Sequence, residues 1–164
     1  MKRIIFIFVL LAAVCAFAVS SFGTSGIQMT SVKLYFTDAQ ILKLLPTRVQ
    51  IPKLDTEEQA KYVLKLLIKG DDDNLKIKRT IPNIKGCMSV YVKDGIAYVD
   101  IKNSAVKNHA EGRDIELLTV YSVVDSLTSV EGIHNVRFTV NGKKQKDFMG
   151  YLDMRETFIP DYTV

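Results

Sequence analysis

The chain has no tryptophan, two cysteines, two histidines and four prolines in 164 residues. Each shortage argues against a class of function. Without tryptophan, the usual stacking platform for sugars is missing. His109 and His134 lie in polar segments near expected helix ends, and neither has the spacing of a zinc pair with Cys or Glu. Both read as surface histidines. Cys15 falls inside an apolar N-terminal run, so Cys87, beside Met88, is expected to be a lone thiol serving as a small buried hydrophobe. Nothing near it in sequence supplies the base or oxyanion site that a nucleophilic thiol needs. No glycine pattern that would cradle a phosphate is present. Charge of one sign is also scarce: 22 basic residues face 18 acidic ones, a net of +4, and Lys2 and Arg3 supply half of that. Nucleic-acid binding wants a concentrated basic face, so no nucleic-acid partner is expected. Nor does the sequence indicate a cofactor, a metal site or a catalytic residue.

The N-terminus carries the strongest local signal. Lys2 and Arg3 precede an apolar or small run from Ile4 to Val19, and no charge follows until Lys33. A basic head and an apolar stretch of this length describe an export signal. Continued to Phe22, the run is long enough to span a bilayer. Ala16-Phe17-Ala18 fits a cleavage site. Cys15 is a second possibility, for lipid attachment, although Val14 before it is bulkier than lipoprotein processing usually accepts. Residues 1–22 therefore read as a signal or membrane-anchor segment and 23–31 as a Ser/Thr/Gly-rich spacer. The folded domain is expected over 32–160, on the extracytoplasmic side of the cell membrane.

Within that domain the hydrophobic period alternates between two and 3.6. Val32, Leu34 and Phe36 alternate with polar or amphipathic neighbours, as in a half-buried strand. Ile41 to Leu45 reads as a turn or short helical segment, and Arg48 to Lys53 as a short strand. Asp55 or Thr56 can cap a helix whose apolar stripe is Ala60, Val63, Leu64, Leu67 and Ile68, stopped by Gly70. Asp71-Asp72-Asp73 lacks calcium-loop spacing and reads as a solvated turn.

The next unit is the most constrained. Met88–Lys93 and Ile96–Ile101 flank Asp94-Gly95, a preferred two-residue hairpin turn. That turn sets the register: Val92 opposite Ala97, Val90 opposite Val99, Met88 opposite Ile101. All three apolar pairs share one face, and Tyr91 meets Tyr98 on the other. A second helix is expected from about Glu111 to Val130, with a core stripe of Leu117, Val120, Tyr121, Val124 and Leu127, widened by Ile115, Leu118 and Val123. Val136, Phe138 and Val140 predict another strand. Asn141-Gly142 follows as a turn, then Lys143, Lys144 and Lys146, and Phe148 to Met154 reads as a returning strand. One mostly antiparallel sheet with both helices on one face satisfies these patterns, an α+β two-layer sandwich.

In order, the motifs resemble the GerMN domain of spore germination and sporulation proteins. Val92 to Asp100 is similar to that family's V-x-DG-x-AYVD hairpin. Leu34-Tyr35-Phe36 resembles its opening strand, and Ile81-Pro82 the pair before the hairpin. Gly112, Glu116 and Leu117 to Val124 resemble its G…E-x-L-x-V-Y-S-I-V helix. Val136 to Gly142 resembles its following strand, and Gly150 and Asp153 its G-x-x-D tail. The resemblance covers Val32 to Pro160. Gly70-Asp71 stands where the family often has Gly-Pro, and Asp125-Ser126 where it usually has Asn-Thr. A single such domain is expected over 32–160, whereas some relatives carry two. The resemblance implies a fold similar to the ring-building modules of secretion and sporulation complexes. Such modules bind partner proteins and copies of themselves, and have no established catalytic residues.

The expected function is therefore an exported, membrane-associated, non-enzymatic protein that mediates assembly in sporulation or germination. Its expected partners are other envelope or sporulation-complex proteins, the membrane through the N-terminal segment, and other copies of the chain. Tyr91, Ile96 and Tyr98 on the open hairpin face are candidate partner contacts, since tyrosine favours interfaces. Lys143, Lys144 and Lys146 are candidates for touching anionic lipid or wall polymer. Two alternatives remain: a peptidoglycan-binding module, and an envelope hydrolase in which Asp100 and Glu116 form an acid–base pair. The plainer reading makes Asp100 a strand-end cap and Glu116 a helix surface charge. Ser122 falls inside a helix rather than at a nucleophile elbow.

Overall fold

A computed structural model describes residues 27–71, 73–147 and 150–164. The signal or anchor segment and residues 23–26 of the spacer lie outside the described residues, while Met29 to Ser31, expected as spacer, belong to the first strand. Strand β1 (Met29–Asp38) starts three residues before the expected alternation and turns back into β2 (Leu44–Pro52). The turn is closed by the Asp38 carboxylate accepting the Leu42 N–H at 2.7 Å. Ile41 takes a positive φ of 59° there. The segment from Ile41 is thus a turn feeding a strand, with no helical character. Pro46 lies within β2, opposite Tyr35. It is tolerated because β2 is an edge strand, where a missing N–H breaks no ladder.

Helix α1 (Thr56–Lys69) follows its sequence pattern closely. Asp55 caps it by accepting the Glu58 N–H at 2.9 Å, and the Gly70 N–H closes on the Leu66 carbonyl. Ala60, Val63, Leu64 and Leu67 are its buried residues. A two-residue strand β3 (Ile77–Lys78) pairs with the end of β1. The hairpin of β4 (Met88–Lys93) and β5 (Ile96–Ile101) has the expected register at every position. Asp94 and Gly95 both have positive φ, 51° and 75°, as the turn type requires. A Cβ on Gly95 would come within 2.9 Å of the His134 ring, so close approach adds a second reason for glycine. A short α2 (Asn103–Lys107) leads to α3 (Arg113–Leu127) and then β6 (Asn135–Val140).

The strands divide into two three-stranded sheets, β2-β1-β3 and β4-β5-β6. This corrects the expectation of one continuous sheet. Three of the four pairings are antiparallel, while β6 runs parallel to β5 after the crossover through α2 and α3. The reason for the division lies on the free edge of β1. Ser122, Ser126 and Ser129 recur at i, i+4 and i+7, on one face of α3 and its continuation. Ser126 Oγ accepts the Tyr35 N–H at 2.8 Å, and Ser122 Oγ donates to the Tyr35 carbonyl at 2.5 Å. Ser129 Oγ accepts the Lys33 N–H at 3.0 Å and lies 2.9 Å from the Lys33 carbonyl. Side-chain hydroxyls stand where a neighbouring strand would otherwise bond, so the sheet cannot continue past them.

Apolar faces of both sheets and both long helices join in one core that includes Ile51, Val63, Leu67, Val99, Ile101, Val124, Leu127 and Val136. Helices α1 and α3 touch each other, and both touch β1. A smaller cluster of Tyr35, Leu44 and Leu118 lies under the C-terminal tail. Val164 accepts the Leu44 N–H at 3.0 Å, and Tyr162 stacks on Tyr35 with ring centroids 5.6 Å apart.

Candidate functional site

The hairpin alternation that sends Met88, Val90 and Val92 toward the core sends Ser89, Tyr91 and Lys93 to the other face. In register across the three strands, Tyr91 meets Tyr98, and Tyr98 meets Arg137. The two tyrosine rings stack almost parallel, with centroids 4.7 Å apart and planes 4° from coplanar. Tyr91 remains 53% exposed. Ile96 is half-buried one step along this face from Tyr98. Arg137 is exposed, and its Nε donates to Thr157 Oγ1. The structure therefore brings Tyr91, Tyr98 and Ile96 together and adds Arg137 to them. An arginine beside aromatic rings is typical of interface surfaces, and strand pairing placed it there without any local sequence signal.

Lys143, Lys144 and Lys146 are exposed, but they follow β6 at the end of the sheet where Ile101 pairs with Val140, away from Ile96. They form a separate basic tip. Asp100 ties that tip down. It accepts from Thr139 Oγ1 at 2.8 Å and from the Gly142 N–H, and pairs with Lys102 at 2.6 Å. Burial opposes its ionisation, but Lys102, Gly142 and Thr139 together outweigh that and hold it below the usual carboxylate range. Asp100 is the strand-end cap that the plainer reading expected.

Glu116 is not a helix surface charge. It is fully buried, and its two oxygens accept the backbone N–H groups of Tyr151 (3.2 Å) and Leu152 (3.1 Å). This also explains why no returning strand forms over the described residues 150–154: two of its N–H groups bond to a helix side chain instead of a ladder. Only an isolated bridge joins Asp147 and Asp153, and Phe148 and Met149 lie outside the described residues. Asp100 and Glu116 are each committed to holding backbone, which removes the basis for the acid–base pair.

His109 also departs from expectation. It is buried, with Nδ1 2.6 Å from the Ala110 carbonyl and Nε2 2.7 Å from Thr119 Oγ1. Burial lowers its pKa. His134 is exposed, as expected. Cys87 is buried at the foot of β4, and burial pushes its thiol pKa up, so it is a packing residue with little thiolate character. No group of three or more His, Cys, Asp or Glu suited to a metal ion occurs among the described residues.

The most perturbed buried acid is Asp125. Burial raises its carboxyl to about 6, while one oxygen accepts the Asp161 N–H at 3.0 Å and the other has no partner. Its bond, like that of Glu116, goes to the tail. Phe158 continues the seam, edge-on to Phe138 and Tyr121 and bridged to Val136.

Comparison with known proteins agrees with this architecture. The fold is similar to a candidate lipoprotein of Clostridium perfringens, at 19% identity over 85% of this chain and 93% of that one, with a TM-score of 0.58. It is also similar to the first GerMN domain of the sporulation protein GerM from Bacillus subtilis, at 21% identity over 82% of this chain and 99% of that one, TM-score 0.59. Against the tandem GerMN domains of GerM the identity is 21% and the TM-score 0.61, with 77% of this chain covering 44% of the pair. Curated proteins give no match. A family model described as "Germane: Sporulation and spore germination" matches residues 33–146. That span is more than half of the chain and agrees with the GerMN resemblance, so the protein belongs to the Germane family of sporulation and spore germination.

Proposed function

We propose that this chain is an exported, membrane-associated, non-catalytic module that joins envelope proteins during sporulation or spore germination, through the open face of the β4-β5-β6 sheet. The observation that carries this reading is the Tyr91–Tyr98 stack beside Arg137 and Ile96. Aromatic residues and arginine are the side chains most enriched where proteins meet. Membership of the family supports the biological setting. The basic head and apolar run at the N-terminus support export, and the likeness to a candidate lipoprotein supports anchoring. Asp100 and Glu116, the only acid–base pair suggested by the sequence, are occupied by backbone.

A photo-crosslinking side chain at position 91 or 98, in cells forming spores, is expected to capture envelope proteins. The same group at exposed Gln50 on β2 is expected to capture none of them. With the photo-crosslinker placed instead at exposed Lys93 on the same face, Tyr91→Ala/Tyr98→Ala should lose the adducts while melting within a few degrees of the parent, because Tyr91 is exposed. A deletion strain that sporulates and germinates normally, together with no position-91 or position-98 adduct, would count decisively against the proposal. Retention of the chain on purified peptidoglycan that survives the tyrosine substitutions would favour a wall-binding role instead.

A further inference from the structure

Strand β4 is the edge of its sheet. The two-residue turn makes Lys93 and Ile96 a hydrogen-bonded pair, and the pattern alternates down the ladder. The backbone groups of Met88, Val90 and Val92 therefore point away from β5. At Val92 the N–H is taken by Glu57 of helix α1, at 3.1 Å. Met88 and Val90 have no hydrogen-bond partner for their backbone groups among the described residues. Beside this open stretch, a groove of about 560 Å³ runs between α1 and β4. Leu64, Ile68, Met88 and Val90 line it. Lys65, Lys69 and Lys85 also line it and have no ion pair among the described residues, whereas Lys61 is held by Glu57 and Glu58.

An unpaired strand edge, an apolar floor and an unneutralised basic rim each specify one property of an occupant. The edge asks for extended backbone. The floor asks for apolar side chains at alternate positions, since a strand presents every second residue to one side. The rim asks for carboxylates between them. We propose that this groove binds an extended, acidic segment of a partner protein, which adds to β4 as a fourth strand alongside Met88 and Val90. Glu57 sets one end of the site, because it already occupies the next outward N–H. This inference goes beyond the assembly reading and stands whether or not the tyrosine face binds a partner.

The test uses the full chain in mild detergent and three fluorescein-labelled hexapeptides read by anisotropy. One alternates valine with glutamate, the second alternates valine with lysine, and the third is the glutamate peptide with alternate amides N-methylated. The glutamate peptide is expected to bind at least tenfold more tightly than either of the others. Amide hydrogen exchange at Met88 and Val90 should slow when it binds. Lys65→Glu/Lys69→Glu should reverse the preference between the glutamate and lysine peptides. The N-methylated arm alters only the ligand, so it stays informative if the double variant folds poorly. Absence of binding by the glutamate peptide, equal binding of the N-methylated one, or protection at amides other than those of β4 would overturn the proposal. Loss of crosslinks in the tyrosine variants, with peptide binding intact, would separate this site from the sheet face.

Discussion

Helices α1 and α3 are nearly equal in length, 14 and 15 residues, yet they are buried by opposite means. Helix α1 is amphipathic in the ordinary way, with an apolar stripe inward and Lys61, Lys65 and Lys69 outward. Helix α3 buries polar groups as well as apolar ones: Glu116, Thr119, Ser122, Asp125 and Ser126 are all inaccessible. A buried polar group costs free energy unless it is bonded; Thr119 bonds close by, to His109 and the Ile115 carbonyl, whereas Glu116, Ser122, Asp125 and Ser126 reach backbone groups distant in sequence. Serines occupy the β1 edge, and the two carboxylates hold the tail. One helix is held by exclusion of water, while the other is a scaffold to which irregular backbone is tied.

The largest expected effect breaks that scaffold. Glu116→Ala leaves two part-buried N–H donors without an acceptor and should cost about 4 kcal/mol, at roughly 2 kcal/mol for each orphaned donor. Glu116→Gln keeps one acceptor oxygen and should recover roughly half of that. Urea denaturation of both variants measures the pair. Equal and small losses would mean that the tail is held by its aromatic seam alone.

Asp125 sharpens the comparison through pH. Its folded pKa, about 6, lies above the unfolded value near 3.8. Between those values the native state holds the extra proton, so the stability from this group is full below about pH 3.8 and is lost as pH rises through 6. Two pKa units correspond to about 3 kcal/mol. Asp125→Asn mimics the protonated acid and keeps an oxygen for the Asp161 N–H. It should be more stable than the parent by up to that amount at pH 7.5 and equal to it near pH 3.5. A difference independent of pH would show that the carboxyl does not titrate in this range.

A smaller effect belongs to the serine stripe. Ser126→Ala orphans the Tyr35 N–H and should cost about 2 kcal/mol, read as a lower denaturation midpoint with unchanged slope. Smallest of all, Lys65→Ala on the outer face of α1 should stay within about 0.5 kcal/mol of the parent. A larger loss there would erase the distinction between the two helices.

These contrasts also mark what could be read from residues alone. The β4–β5 hairpin was legible because its turn chemistry and its alternation sit within fourteen residues and agree. Helix α1 was legible because its cap, stripe and stop are all local. In α3 the apolar positions predicted a helix, but nothing within it says that Ser122 and Ser126 would reach Tyr35, or Glu116 the tail, since those partners lie 35 to 91 residues away. The single-sheet expectation and the returning strand failed for the same reason: each assumed that backbone bonds to backbone where side chains had taken its place. Of the candidate contacts, Tyr91, Ile96 and Tyr98 followed from register. Arg137 required knowing that β6 lies parallel to β5.

The stacked tyrosines also make the protein its own optical reporter. With no indole in the chain, its near-ultraviolet absorption and emission come almost entirely from seven phenols. Two of these face each other in parallel at 4.7 Å, close enough for their transition dipoles to couple. That coupling should contribute to near-ultraviolet circular dichroism and should change when another molecule settles on the sheet. Docking at this surface can thus be followed on the unlabelled chain.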